Sequence, residues 1–431
     1  MNKPLLSLPL ALLLCACAPL AAAPVTLNVA MEAGRMADAA NSVVPEFQAQ
    51  NPDIKVNVVP LPYTTFQQKI TTELSAGSGA YDVIEAHMLM LAPLVAAKQV
   101  LPLDEHIKKA GLDTSDFLKS QMALGTLYGK GKRLNPQGEI YGLPYNSDVY
   151  MLVYRKDLFD ELGFKPTDPW EKAVSNFAAL TKQKNIAGFA FSGARRDNSH
   201  LIYDFYNIAL NVDGTLPIGE NLQPTMNSPG NLKALKIVAQ IVDDGSAPKG
   251  VMEYRYDDKN TALAQGIAAS MSQWMLACYK SVNDPSASKV AGKVGFTTPP
   301  GGKACTSGWV ASVVAKTKHP DEAFKFIAFL TDEKNNLKLA LEFGNGPTRK
   351  SVIDSPEFKQ AYPFAEAMRD ALTDGTHYTS TAPQVALWSE ITDVITDRLA
   401  DAIFGQTKPE DALKQADEQI ARVLKQAGYT R

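Results

Sequence analysis

The sequence predicts an α/β fold, with helices on both faces of a mixed or parallel sheet and more than one hydrophobic core. Two observations predict it. Strand-like and helix-like segments alternate along the chain, and 431 residues, 45% hydrophobic and 21% charged, suffice for more than one core. Residues 25–31 alternate apolar and polar side chains and read as a first strand, and residues 36–50 as an amphipathic helix. Residues 54–60 form the next predicted strand, residues 66–76 the next helix, and Val83-Ile84 a short third strand.

The next segment is read by its punctuation. Gly142 and Pro144 disfavour a continuous helix, and residues 150–154 form a short apolar run bounded by polar residues, as expected of a buried strand. Asp168 is placed as an N-cap, with Pro169 at the first helical position and Glu171 at the third. Residues 293–297 read as a later strand following a helix end.

The N-terminus predicts export. Lys3 is the single cation of residues 1–23, an apolar core runs from Leu8 to Ala18, and Ala21, Ala22 and Ala23 supply small residues, the layout of a secretory signal. The apolar stretch falls short of the roughly 20 residues that span a bilayer. Leu14-Cys15-Ala16-Cys17 resembles a lipobox in which Cys17 would carry a lipid; the alternative makes both cysteines small apolar members of the signal core. Export permits a disulfide between the two remaining cysteines, Cys278 and Cys305, which we expect over two buried thiols. Such a bridge would contribute about 3 kcal/mol in the chain-entropy picture.

Charge and motifs exclude several functions. The net charge is −3, and Lys and Arg do not gather into long basic runs, so no nucleic-acid partner is expected; Lys130-Gly131-Lys132-Arg133 reads as a solvated turn. There is no G-x-S-x-G elbow, no H-E-x-x-H motif and no G-x-x-x-x-G-K-[ST] loop. The five histidines never fall at metal-ligand spacing, so neither a metal nor a cofactor is expected.

Several segments, in order, carry a family resemblance. They include Gly79-Ala80-Tyr81-Asp82-Val83-Ile84, Leu101-Pro102-Leu103-Asp104, Gly142-Leu143-Pro144-Tyr145, Leu152-Val153-Tyr154-Arg155, Pro169-Trp170-Glu171, Ser270-Met271-Ser272-Gln273-Trp274, Ser307-Gly308-Trp309, residues 320–331, Gly346-Pro347-Thr348-Arg349 and Pro409-Glu410-Asp411-Ala412-Leu413. Together they cover nearly the whole exported chain and resemble the bacterial extracellular solute-binding proteins of ABC importers, the maltose-binding-protein-like group that takes sugars and polyols. Cys278, Cys305 and Ser307, where many relatives carry glycine, depart from the pattern.

The resemblance implies a periplasmic-binding-protein-like type II fold, two α/β lobes joined by hinge crossovers. One lobe would comprise residues 24–145 plus 308–346 and the other 146–307 plus 347–431. It implies a monomer in the periplasm that captures a sugar or sugar alcohol between the lobes, closes about the hinge and delivers it to the ABC transporter permease subunits. No catalysis is expected.

Loops at strand ends supply the candidate ligand-binding residues, since ligands of open α/β sheets sit beyond the carboxyl ends of strands. In the first lobe these are Glu32, Arg35, Tyr63, Glu85, His87 and Met88. In the second they are Asn146, Asp148 and the loop residues Arg195, Arg196, Asp197 and Asn198, with Trp274, Trp309 and Trp388 as stacking aromatics. Gly308 and Arg349 belong to the second and third crossovers. Directional donors and acceptors beside aromatic faces suit polyols, whose hydroxyls donate and accept while their C–H faces pack.

Alternatives remain open. Arg195-Arg196 would chelate a phosphate, which favours glycerol 3-phosphate or a related phosphate ester, although Asp197 offsets the charge. Residues 283–296 and 421–429 look like the branch that takes mannitol or sorbitol. An exported glycosidase using a carboxylate pair among Glu32, Glu85 and Asp148 is the reading from a different class, and an adhesin or sensor without an import partner is a third.

Overall fold

The structure, a computed structural model, describes residues 24–127, 138–195, 200–219, 221–373, 378–379 and 387–430. Signal, cleavage and lipid assignments therefore lie outside the described residues, as do the basic turn at Lys130–Arg133 and Arg196, Asp197 and Asn198.

The first lobe is built on Val25–Glu32 (β1), Ile54–Leu61 (β2) and Val83–His87 (β3). β1 lies between β2 and β3 and pairs with both in parallel, so the three strands end at one edge. The helix Arg35–Gln50 follows β1 and buries Met36, Ala39, Ala40, Val43 and Phe47 against the sheet. The helix after β2, Tyr63–Ala76, begins three residues before the sequence pattern places it, because Pro62 supplies a pre-set φ at the N-cap. A two-stranded ribbon, Thr126–Leu127 (β4) with Glu139–Ile140 (β5), leads into Leu143–Arg155 (β6).

β6 runs well beyond the short strand predicted at residues 150–154. Its first eleven residues are all buried, with Pro144 inside the strand. The proline is tolerated because the register with Cys305–Val313 (β9) shifts between Pro144 and Asn146, where a ladder N–H is dispensable. Ser270–Trp274 (β7) and Val294–Thr297 (β8) pair antiparallel with the far end of β6, and Tyr378–Thr379 (β10) runs parallel to β9.

The strand order β2-β1-β3-β9-β6-β7 is continuous, yet the cores divide. One cluster gathers residues of β1, β3, Tyr145 and Trp309 through Leu339. Two others flank the second-lobe strands: Tyr150, Trp274, Cys305 and Trp388 belong to one, and Val149, Met271 and Cys278 to the other. β6 and β9 thus pass from one core to the next midway along their length, at a run of buried polar residues, Asn146-Ser147-Asp148, opposite Trp309, Gly308 and Ser307.

Two local expectations are corrected. The helix Trp170–Lys184 has Pro169, not Asp168, at its N-cap, and the Asp168 carboxylate instead accepts from Asn176 Nδ2 at 3.2 Å. Cys278 and Cys305 are free thiols. They pack into separate clusters, Cys278 Sγ beside the Met275 carbonyl and Cys305 Sγ beside that of Tyr203, so the two sulfurs face different surroundings.

Candidate functional site

Three chain segments meet where the cores divide, and side-chain and backbone hydrogen bonds strap them together. Asn345 Nδ2 donates to the Tyr145 carbonyl (3.1 Å), the Gly346 N–H to Asn146 Oδ1 (2.6 Å), Ser147 Oγ to the Pro347 carbonyl (2.6 Å) and Thr348 Oγ1 to the Pro144 carbonyl (3.1 Å). Gly346 is demanded by this closeness: a Cβ there would lie 1.7 Å from the Ser147 carbonyl oxygen. Gly308 has the same kind of role, since its Cβ would lie 2.4 Å from Gln121 Oε1 and 2.9 Å from the Asn146 carbonyl oxygen.

Arg35, at the start of its helix, reaches into this junction. Its Nη1 donates to the Gly344 carbonyl (2.6 Å) and Asn146 Oδ1 (3.3 Å), while Nη2 lies 3.8 Å from Asp148 Oδ2. Gly344 is the left-handed C-cap of the helix Glu333–Phe343, so the guanidinium also meets the negative end of a helix dipole. Asn146 Nδ2 donates to Asp148 Oδ2 at 2.8 Å, which orients the carboxylate.

At the carboxyl ends of β1 and β3 two glutamates adjoin. The Glu32 N–H donates to Glu85 Oε2 (2.9 Å), while Glu85 Oε1 and Asp148 Oδ1 are buried without a hydrogen-bond partner. Burial pushes the Glu32 carboxyl up to about 7, against the pull of Arg35 and with a further push from Asp148. Burial raises Glu85 well above the carboxylate range, with Glu32 adding to it, and burial likewise raises Asp148. Tyr63, 41% exposed, begins the helix after β2; burial raises its hydroxyl, and the charges of Glu32 and of Asp257 raise it further.

Aromatic faces come from both lobes. Trp309 lies edge-on to His87 (4.8 Å between centroids) and to Phe66 (5.8 Å). His87 Nδ1 accepts from the Leu89 N–H, so Nε2 carries the proton it donates to Ser307 Oγ (3.0 Å), and burial lowers the imidazole to about 4, leaving it neutral. Trp274, 8% exposed, contacts Tyr150 (4.7 Å) and Tyr203 (4.9 Å), and the His200 ring adjoins Tyr203 and Tyr256. The charges of Arg35 and Asp148 act on the Tyr256 hydroxyl, which ties the aromatic cluster to the polar junction.

Beneath Trp274 lies a buried ion pair. Lys259 Nζ is 3.2 Å from Asp204 Oδ2, donates to the Ser272 carbonyl (2.9 Å) and contacts the Tyr150 hydroxyl. Asp204 also accepts from the Tyr150 hydroxyl (2.9 Å) and the Ser192 N–H (2.8 Å).

The structure thus brings Glu32, Arg35, Tyr63, Glu85, His87, Asn146, Asp148 and Trp309 to one junction, with Trp274 in the aromatic cluster linked to it. Met88 begins the helix Met88–Ala96; its side chain lies outside the described residues. Three residues are committed elsewhere. Arg349 donates to the Thr331 carbonyl (2.7 Å), pairs with Asp116 (3.4 Å) and covers the Phe117 ring at 3.9 Å. Arg195 is held by Asp401, the Asp397 carbonyl and Gln406. Trp388, 3% exposed, packs in the second-lobe core beside Ile391 and Leu399.

Tyr150, Tyr203, Asp204, Tyr256, Asp257 and Lys259 were not predicted. The lone Asp204 within the apolar run 201–206 and the aromatics that interrupt the polar stretch at Tyr254-Arg255-Tyr256 were a usable signal. Lys259 carried none, since in Asp257-Asp258-Lys259 it reads as an ordinary solvated charge.

Two α/β lobes joined by three crossing segments, with polar and aromatic side chains gathered at the crossing, define a periplasmic binding protein of the type II fold. The sequence pattern of the bacterial extracellular solute-binding proteins matches residues 33–337, and the chain belongs to that family. A mannitol-binding protein of Pseudomonas aeruginosa is 25% identical over 410 residues, 89% of each chain. Among solved structures, maltose-bound T. maritima MalE3 is 26% identical with a TM-score of 0.79, over 93% of this chain and 100% of that one. An ABC transporter solute-binding protein of Agrobacterium vitis with bound D-mannitol is 25% identical with a TM-score of 0.73, over 94% and 99%. The chain is a solute-binding component of ABC import and acts outside the cytoplasm.

Proposed function

We propose that the chain captures a sugar or sugar alcohol at the junction of its lobes, closes on it and presents the closed form to the permease. The observation that carries this reading is the pairing of aromatic faces, Trp274 and Trp309, with a convergent polar set, Arg35, Asn146, Asp148, Glu32 and Glu85. Rings of tryptophan pack on C–H faces while the polar set pairs hydroxyls. The hinge is assigned to residues 143–148, 305–311 and 344–348, so that the lobes comprise residues 24–145 plus 308–346 and 146–307 plus 347–431. Solute touching both lobes favours the closed state by its differential affinity for it.

The phosphate-ester reading loses one of its two arginines, because Arg195 is held by Asp401. The glycosidase reading draws no support from the mannitol-binding protein or from maltose-bound MalE3. The chain acts as a monomer without catalysis, exported by residues 1–23 and, if the lipobox is used, tethered through Cys17.

The test is a thermal-shift and calorimetric screen of residues 24–431 against polyols, mono- and disaccharides and glycerol phosphates, since a ligand of the native state raises Tm by mass action. A rise with sugars or polyols is expected, and Trp274→Ala should cost about 2 kcal/mol of binding, roughly 30-fold in Kd. A rise with phosphate esters alone, or turnover of an oligosaccharide, would replace this reading.

A further inference from the structure

The charges at the junction do not balance once each contact is followed to its end. Arg35 bonds Asn146 and the carbonyl at the C-terminus of the helix Glu333–Phe343 and lies near Asp148, and its charge is shared with Glu32 and Glu85 as well. Lys259 is consumed by Asp204 beneath the aromatic cluster. Glu32 and Glu85 remain side by side, joined by the Glu32 N–H, and a further carboxylate, Asp257, acts on Tyr63 together with Glu32. Among the described residues no further Lys or Arg side chain is seen to contact either glutamate. Glu85 is 0% exposed and its Oε1 has no donor; Asp148 is 6% exposed and its Oδ1 has none.

A buried carboxylate oxygen without a donor is costly, by about 1–3 kcal/mol or more for a charged group. A neutral hydroxyl relieves it with one proton. An ammonium brings three donors, no acceptor and the compensating charge, and charge-assisted hydrogen bonds are roughly twice as strong as neutral ones. The exposed Tyr63 ring adds a π-face of the sort that attracts such a cation.

Resting on the sugar or polyol reading above, we propose that the solute carries an amine: an amino sugar or amino polyol whose ammonium is received by Glu32 and Glu85 while its hydroxylated part meets the aromatic faces. Binding sets one positive charge with three donors against the two carboxylates. The preference for the amine is set by Glu85, with Glu32 second.

The test is isothermal titration of residues 24–431 with matched pairs: hexosamines against their parent hexoses, and 1-amino-1-deoxyhexitols against the parent hexitols. At least one amine should bind tenfold or more tightly than its hydroxyl counterpart. Glu85→Gln should bring that ratio close to one; circular dichroism verifies folding, and Glu32→Gln, at a less buried position, gives an independent reduction of the same ratio. Binding pairs that all favour the neutral member would overturn the amine assignment and leave sugar or polyol capture standing. Absence of binding by every hydroxylated compound at millimolar concentration would overturn both. A ratio unchanged in both variants would also refute the assignment, since the carboxylates would then not receive the amine.

Discussion

The two sides of the cleft treat buried charge in opposite ways. In the second lobe Lys259 and Asp204 are fully enclosed, and Tyr150, Ser192 and Ser272 satisfy the remaining donors and acceptors. In the first lobe Glu32 and Glu85 adjoin within reach of the Arg35 charge, whose hydrogen bonds go to Asn146 and Gly344, and one Glu85 oxygen lacks a donor. A closed network of this kind orders what lies above it, here Tyr150 and Trp274, whereas an open one holds interaction energy in reserve for a solute. In the proposed site, the contrast would assign rigidity to one wall and recognition to the other.

The most direct way to break the comparison is to open the closed network. Lys259→Met leaves Asp204 buried without its cation, and loss of one partner of a buried pair costs about 3–5 kcal/mol. Denaturant unfolding should show that loss, with near-ultraviolet circular dichroism reporting disorder around Trp274. A loss below about 1 kcal/mol would mean that the network does not stiffen this wall.

A smaller effect is expected at the crossing that joins the two walls. Gly346→Ala places a methyl 1.7 Å from the Ser147 carbonyl oxygen, so the third segment must move away from the first. Overpacking of this sort costs about 1–3 kcal/mol. Because the strap Gly346–Asn146 also holds the partner of Arg35, affinity for solute should fall further than stability predicts. Affinity unchanged in a destabilised variant would separate the hinge from the site.

How much of this could be read from the chain follows from what each feature depends on. β1, β2, β3 and the helix Arg35–Gln50 were legible because local periodicity and end signals agree with the fold. The length of β6 was not, since Pro144 and the polar run Asn146-Ser147-Asp148 read as a break, and only the shifted pairing with β9 makes them part of a strand. Among the candidate residues, those directly after strands come together at the junction because chain direction brings strand ends together. Lys259 was missed because its burial is created by Asp204, 55 residues away. Arg349 and Arg195 were misplaced for the same reason, as their partners Asp116 and Asp401 are remote in sequence.

Acid–base titration sharpens the comparison further. A native carboxyl raised from its ordinary value of 4.5 to about 7 binds its proton more tightly than the unfolded chain does, so Glu32 lowers stability as pH rises from 4.5 to 7. His87, lowered from 6.5 to about 4, acts in the opposite sense: its stabilisation is present above 6.5 and is lost as pH falls toward 4. The two slopes oppose one another in the ligand-free protein. Glu32→Gln removes the falling one, so Tm of the variant should climb more steeply between pH 5 and 7 than that of the parent. Parallel profiles would show that Glu32 titrates as an exposed carboxyl.

The smallest effect expected is none, and it bears on a feature where sequence and structure part. Cys278 and Cys305 are each 0% exposed, and burial pushes the Cys278 thiol up to about 12, so neither sulfur forms thiolate for exchange. Cys278 sits on the helix Met275–Asn283 in the cluster of Val282 and Ala340, and Cys305 on β9 within the cluster of Tyr150 and Trp388. Reductant should therefore leave Tm unchanged, and a thiol reagent should find two groups only after unfolding. A bridge would contribute about 3 kcal/mol, and at roughly 2–4 °C of Tm per kcal/mol for larger domains its reduction would be plain in a melting curve. Such a drop would require the helix and β9 to approach one another and would rejoin the two clusters that now stand on either side of the second-lobe sheet.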